Sequence, residues 1–199
     1  LVELNATPFY FKSYDMEDGL SNNHVTCCVQ DDYGFMWFGT RDGLNRFDSK
    51  KFYTFKSYSS EKGSLMSSYI LDLAKSPTGQ IWVSTNLGLQ KYDYQTDSFT
   101  LIDFTKGINC YSLQFDQQGN LWMILNGYSL VKYNESQGMH LNYMYKGSDP
   151  ITSFYITPQD QIWATTANGN VVFLDDDKNE FIALDIKNLD KNHPIDDMT

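Results

Sequence analysis

Gly34-Phe35-Met36-Trp37-Phe38-Gly39-Thr40 is a stretch of sequence that returns, in modified form, three more times along the chain. In every copy a tryptophan stands three residues after a turn position: Gly34 and Trp37, Gly79 and Trp82, Gly119 and Trp122, Asp160 and Trp163. The intervals between successive tryptophans are 45, 40 and 41 residues. A regular period of this size indicates a repeat architecture and sets the frame for every other feature.

Each repeat reads as four short strands separated by turn residues. In the first repeat the apolar stretches are Val25 to Val29, Phe35 to Phe38 and Leu44 to Phe47, and the stretch Lys51 to Phe55 closes the unit. No segment is long and periodic enough to indicate a helix. Four strands in about 40 residues correspond to one blade of a propeller. We therefore predict an all-β fold, a partial β-propeller with four four-stranded blades and the start of a fifth.

The repeat also predicts the boundaries of the blades. An N-terminal strand and lead-in would occupy residues 1–20. The blades would span residues 21–60, 61–105, 106–146 and 147–188, and a fifth blade would begin within residues 189–199.

The repeated residues have structural explanations. Aromatic side chains bury large areas, so we expect Trp37, Trp82, Trp122 and Trp163 to pack between blades. Gly34, Gly79 and Gly119 fall where the first and second strands reverse, and glycine adopts the backbone angles of such turns without strain. Asp160 replaces the glycine in the fourth repeat, and an aspartate tolerates the same turn.

Composition excludes several classes of partner. The net charge is -10 and the isoelectric point is near 4.6, so the surface repels nucleic acid and anionic membranes. No apolar run has the length of a membrane span, and the first residues do not resemble a signal peptide. Cys27, Cys28 and Cys110 have no zinc-ligand spacing, and we predict that they are buried free thiols.

No catalytic residue, metal ligand or cofactor site is predicted. His24, His140 and His193 are too scattered for a triad or metal cluster, and His24 is expected in a solvent-facing loop. The acidic run at residues 175–180 starts like a calcium loop but lacks its glycine and its final glutamate, so we expect a hairpin turn there. The sequence motifs of nucleotide-binding proteins and of hydrolases with a nucleophile elbow are absent from the sequence.

The repeat supports a family resemblance. Residues 34–40, 42–48 and 79–85 resemble the two-component-regulator propeller repeat, as does the lead-in Asp18-Gly-Leu-Ser-Asn-Asn-His-Val25. That repeat is found in the periplasmic sensor regions of bacterial hybrid two-component systems, many of which respond to oligosaccharides. The resemblance covers about residues 18–175 and implies an extracytoplasmic sensor that binds a small oligosaccharide and signals to a distant kinase.

The resemblance also implies missing neighbours. Family members form seven-bladed propellers, and seven blades of about 41 residues need roughly 290 residues. We therefore expect this chain to be part of a longer protein, with the remaining blades as partners. Unpaired blade faces would favour self-association.

Strand order predicts where a ligand could bind. In an antiparallel blade, the loop that enters the blade lies on the same face as the turn between its second and third strands. We call this the upper face. Sugars are bound by aromatic stacking and by amide, carboxylate and guanidinium groups, so the candidate ligand-binding residues there are Arg41, Asp42, Asn86, Tyr111 and Tyr128. The alternative for each polar candidate is that it satisfies its own turn.

Two other functions stay open at this stage. A propeller enzyme, such as a polysaccharide lyase or lactonase, would need carboxylate, histidine or tyrosine groups converging on the axis. A protein-interaction scaffold would bind a protein in place of a sugar. The fold serves all three functions and does not choose between them.

Overall fold

A computed structural model describes residues 11–58, 60–175 and 178–184. These residues form four antiparallel sheets of four consecutive strands each. The first blade contains β1 to β4 (Val25–Gln30, Met36–Thr40, Gly43–Phe47, Phe52–Phe55), and the second contains β5 to β8 (Ile70–Lys75, Ile81–Thr85, Gly88–Asp93, Ser98–Leu101). The third contains β9 to β12 (Cys110–Phe115, Leu121–Leu125, Ser129–Asn134, Met139–Met144), and the fourth contains β13 to β16 (Ile151–Ile156, Ile162–Thr166, Val171–Asp175, Glu180–Ala183).

The predicted partial propeller is confirmed by this strand order. Every strand pairs with the strand that precedes it in its blade, as in an antiparallel meander. The helical segments among the described residues are two short 3-10 turns, Met16–Asp18 and Asp103–Thr105. In that part of the chain, no helix has the length and apolarity required to cross a bilayer. The predicted start of a fifth blade at residues 189–199 lies outside the described residues, as do residues 1–10 of the predicted N-terminal strand and lead-in.

Three of the repeated tryptophans form the cores between neighbouring blades. Trp37 of the first blade is fully buried and packs in one cluster with Ile70 and Tyr92 of the second. Trp82 packs with Leu121 and Val131 of the third blade, and Trp122 with Ile151 and Val172 of the fourth. Burial of such large aromatic side chains is a main source of stability for stacked blades.

Trp163 differs from the other three, and its packing between blades stays a prediction, because residues 185–199 lie outside the described part of the chain. Its side chain is partly exposed and contacts Phe173 of its own blade, with ring centroids 5.5 Å apart. The tryptophan of each blade faces the blade that follows it in the chain. Trp163 therefore faces away from the third blade, on the side where the next blade of a propeller would lie.

The innermost strands join neighbouring blades through side chains. Asp72 on β5 accepts a 2.6 Å hydrogen bond from the backbone N–H of Leu113 on β9, and Gln114 on β9 accepts one of 3.2 Å from Ile156 on β13. Each of these strands also carries an irregularity in its register with the second strand of its blade. The sequence did not predict these bulges, since an extra unpaired residue leaves no clear mark in an apolar run.

The turns between first and second strands have the geometry that the repeated glycine requires. Gly34, Gly79 and Gly119 have φ angles of 87°, 83° and 79°. Gly79 is further constrained because a Cβ there would lie 2.2 Å from the Asp32 carboxylate of the first blade. Asp160, at the equivalent position, has a φ of 60° and makes the same turn with a side chain.

The cysteines are free thiols, but they are not all buried as predicted. Cys110 is buried, Cys27 is partly buried and Cys28 is exposed. Successive side chains on a strand point to opposite sides, so two adjacent cysteines on β1 cannot both face the same core. Burial raises the pKa of Cys27 and of Cys110 to about 12.

Candidate functional site

The upper face has the loop arrangement that strand order predicted. Backbone hydrogen bonds join the turn between the second and third strands of a blade to the loop that leads into the next blade. Gly43 N–H donates to Ser68 at 2.7 Å, and Ile151 N–H donates to Gly127 at 2.7 Å. This repeated link fixes the upper-face loops relative to one another.

Arg41 and Asp42 are both exposed on this face. The carboxylate of Asp42 forms a 2.7 Å ion pair with Lys56, at the start of the long loop between the first two blades. Its backbone N–H donates to the hydroxyl of buried Thr40 at 3.1 Å. Asp42 therefore already has a partner in the protein, and a ligand would compete with Lys56 for its carboxylate.

The other three candidates lie on the second and third blades. Asn86 is exposed, and the ring of Tyr128 is 41% exposed. Tyr111 is partly buried, and its hydroxyl donates a 2.9 Å hydrogen bond to the carbonyl of Ile151. Burial raises the pKa of Tyr111, and the neighbouring Tyr128 adds to the effect. Tyr111 and Tyr128 are thus close together, but none of the five candidates lines the clefts described next.

A cleft of about 550 Å³ opens on the opposite, lower face, between the first and second blades. Its walls include Tyr33 from the turn between β1 and β2, and Tyr94 and Gln95 from the turn between β7 and β8. A smaller recess of about 130 Å³ shares Tyr33, Tyr94 and Gln80 with it. We call this combined space the lower cleft, and its larger part has the volume of a typical small-molecule site.

Two tyrosines form one wall of the lower cleft. The ring centroids of Tyr33 and Tyr94 are 5.0 Å apart and the rings are tilted by 55°. The hydroxyl of Tyr94 donates to the buried carboxylate of Asp31 at 3.1 Å, and the indole of Trp37 donates to the same oxygen at 2.8 Å. Tyr94 is therefore anchored, whereas the ring of Tyr33 is 72% exposed.

Two tyrosines of this cleft, Tyr92 and Tyr94, have raised pKa values and stay protonated at neutral pH. Burial raises the pKa of Tyr94, and the negative charge of Asp31 adds to the effect. Burial also raises the pKa of Tyr92, whose hydroxyl hydrogen-bonds Asp97 and accepts a 2.7 Å hydrogen bond from Arg46. Tyr92 and Tyr94 are thus neutral phenols beside the cleft.

A second enclosed space, of about 250 Å³, lies between the third and fourth blades. Lys132 and Asp116 meet there at 3.1 Å beside Trp122. Burial tends to raise the pKa of Asp116, but hydrogen bonds from Asn120 and Trp122 outweigh it and hold the pKa below its usual value. The buried carboxylate of Asp116 and the partly exposed Lys132 thus form an ion pair at the edge of an inter-blade core.

Within residues 11–58, 60–175 and 178–184, no three His, Cys, Asp or Glu side chains converge in a way that could bind a metal ion. The ring of His140 stacks on Phe104 with centroids 4.1 Å apart, and His24 is exposed as expected. His193 lies outside the described residues.

The predicted family resemblance is confirmed by comparison with known proteins. The family model of the two-component regulator propeller matches residues 19–42. A 50-residue stretch is 52% identical to the histidine kinase P4 of Formosa agariphila; it covers 25% of this chain and 3% of that protein. Residues 19–42 are therefore similar to a two-component-regulator propeller repeat, and the chain spans a small part of this relative.

Solved structures share the fold. The extracellular domain of a putative hybrid two-component system from B. thetaiotaomicron matches with a TM-score of 0.78 and 23% identity, over 89% of this chain and 26% of that one. The virginiamycin B lyase of Staphylococcus aureus matches with a TM-score of 0.62 and 12% identity, over 83% of this chain and 57% of that one. At these identities the likeness shows a propeller fold and leaves function to be argued from the repeat and the site.

Proposed function

We propose that this region is the ligand-sensing propeller of a hybrid two-component sensor kinase and that it recognises an oligosaccharide. The observation that carries the proposal is the two-component-regulator propeller repeat at residues 19–42, within a chain that shares a 52% identical stretch with a histidine kinase. The remaining blades and the kinase would belong to the rest of the protein. Binding here would bias the conformation of that distant kinase.

We place the region in the periplasm, outside the inner membrane. The structure that matches with a TM-score of 0.78 is an extracellular domain of a hybrid two-component system, which supports this placement. An acidic surface with a net charge of -10 suits a region that does not bind membrane surfaces or nucleic acid. A fusion of the full parent protein to a reporter that is active only outside the cytoplasm would test the location.

Oligosaccharide recognition, in place of catalysis, is the function that the described site supports. A glycan lyase or lactonase would need acid and base groups whose pKa values are set for proton transfer. Tyr92 and Tyr94 of the lower cleft have raised pKa values, and the buried carboxylates Asp31 and Asp116 accept hydrogen bonds from indole N–H groups. These carboxylates serve the packing of the blades.

The proposal is tested by isothermal titration of the chain with cellotetraose, xylotetraose, mannotetraose and trigalacturonate. We expect saturable binding of at least one of them, with the saccharide recovered intact by mass spectrometry after prolonged incubation. Cleavage of the bound saccharide would contradict the sensor and favour the alternative of a propeller enzyme. Failure of all four to bind would contradict oligosaccharide recognition.

A further inference from the structure

We infer that the lower cleft is the saccharide site and that it accepts a neutral sugar, with one ring stacked on Tyr33. The inference rests on the proposed function. It places the saccharide site on the face opposite to the candidates Arg41, Asp42, Asn86, Tyr111 and Tyr128. Three observations carry it: a wall of two tyrosines that depart from the repeat, a rim of amide and hydroxyl groups, and the pairing of the cleft's charges.

Both tyrosines depart from the repeat. The residue four positions before the tryptophan is Tyr33 in the first blade and Thr78, Gln118 and Gln159 in the others. Tyr94 follows Asp93, and the matching residues after Asp48 and Asn134 are Ser49 and Glu135. Since three other turns form with a polar residue in place of Tyr33, the fold does not require an aromatic side chain at that position.

The ring of Tyr33 is held in place but remains open on one side. One side of the ring meets Tyr94, which is anchored through Asp31. The Tyr33 side chain remains 72% exposed, and it contributes to both parts of the lower cleft. An exposed aromatic ring on a rigid support is a surface on which the apolar face of a pyranose ring can stack.

Neutral polar groups surround this ring. The side-chain amide of Gln80 donates to the backbone carbonyl of Tyr92, which leaves its oxygen as an acceptor. The side-chain amide of Gln95 and the hydroxyl of Thr100 make no hydrogen bond to another described residue, and both residues line the cleft. Amides and hydroxyls of this kind can donate to and accept from sugar hydroxyls.

The charges of the lower cleft are already paired or negative. Lys91 forms an ion pair with Glu135, and Lys75 forms one with Asp32. The carboxylate of Asp93 accepts a 2.7 Å hydrogen bond from the N–H of Gln95, which lowers its pKa and keeps it anionic. Because none of the described residues that line the cleft is an unpaired cation, and because the whole chain carries a charge of -10, the cleft disfavours uronates and sulfated sugars.

The cleft also joins two blades. Tyr33 belongs to the first blade, whereas Gln80, Tyr94 and Gln95 belong to the second. A saccharide that contacts both sides stabilises their contact, since a ligand that binds only the folded state raises its stability.

Tyr33→Thr is the variant that tests the inference, because it installs the residue of the second repeat and keeps the turn. We expect the affinity for the best-bound neutral tetrasaccharide of the panel to fall about tenfold, the effect of losing one stacking surface. Tyr33→Phe keeps the ring and should stay within about twofold of the unchanged chain. Tyr155→Thr, at an exposed tyrosine of the fourth blade outside the lower cleft, is the matched control and should bind like the unchanged chain. Urea unfolding of each variant separates loss of binding from loss of folding.

The outcomes distinguish the site from the function. A neutral saccharide that binds the unchanged chain and Tyr33→Thr equally well overturns the lower cleft as its site, while oligosaccharide recognition stands. Binding of trigalacturonate alone overturns the preference for neutral sugars. Binding of none of the four saccharides overturns both the inference and the proposed function.

Discussion

The indole Nε1 of Trp37 donates a 2.8 Å hydrogen bond to the buried carboxylate of Asp31, six residues earlier in the chain. The third blade repeats the relationship, with 3.0 Å between Trp122 Nε1 and Asp116. In both blades the same carboxylate also accepts backbone N–H groups of the turn that it precedes. One aspartate thus ties the turn between two strands to the core between two blades.

Asp31→Ala is expected to lower the free energy of unfolding by about 2–3 kcal/mol. The substitution leaves the buried indole N–H of Trp37 without an acceptor and releases Tyr94, and hydrogen bonds to charged groups contribute on this scale. Urea denaturation followed by tryptophan fluorescence measures the change. Asp32→Ala, which removes only an exposed ion pair with Lys75, is the control and should cost less than about 1 kcal/mol.

Ser76→Asp is expected to stabilise the second blade by about 1 kcal/mol. Ser76 stands where Asp31 and Asp116 stand in their blades, and among the described residues the buried Nε1 of Trp82 has no acceptor. Lys91 lies over the Trp82 ring, as Lys132 does over Trp122 beside Asp116, so a new carboxylate would have a cation nearby. The urea concentrations at the unfolding midpoints of the unchanged chain and the variant test this prediction. A lower midpoint for the variant would contradict an unsatisfied hydrogen-bond donor at Trp82.

The contribution of Asp116 to the free energy of unfolding should decrease as the pH falls. Because its pKa is lower in the folded chain than the ordinary value of 3.8, its contribution is complete above that value and is lost as the pH falls through the folded pKa. Asp116→Asn should cost about 2–3 kcal/mol at pH 7. The difference in unfolding free energy between the unchanged chain and the variant should shrink below about pH 4. A difference that stays constant down to pH 2.5 would show that the charge of Asp116 does not contribute.

Thiol reactivity should separate the three cysteines. Cys28 is exposed, whereas burial raises the pKa of Cys27 and Cys110 to about 12, and only a thiolate reacts quickly. We expect one thiol to react with a chromogenic disulfide reagent in native buffer and three in denaturant. The Cys28→Ser variant should show no fast reaction, and a fast native reaction of that variant would contradict the burial of the other two.

The sequence predicted the blades more fully than the contacts between them. The tryptophan period marks the second strand of each blade, and the turn glycines mark the reversals, because both features depend on neighbours close in sequence. The exposure of Trp163 depends on which side of its blade has a neighbour. The exposure of Cys28 depends on the alternation of side chains along β1. The bulges of the innermost strands leave no comparable signal.

The candidate site was harder to predict for the same reason. Arg41, Asp42 and Asn86 were predicted from residue type and face. The structure places Arg41 and Asp42 on the turn between β2 and β3, with Asp42 already paired to Lys56, and Asn86 on the turn between β6 and β7. The lower cleft needs Tyr33 and Tyr94, which are 61 positions apart and meet only when two blades pack. A signal was present: Tyr33 breaks the repeat at a position that is polar in the other three blades.

The most direct test of the sensing account is a backbone NMR titration of the isotopically labelled chain with the saccharide panel. The account predicts saturable chemical-shift changes that centre on the amides of residues 31–35, 78–80 and 91–95 for a neutral tetrasaccharide. Spectra that stay unchanged with every saccharide at millimolar concentration would contradict it.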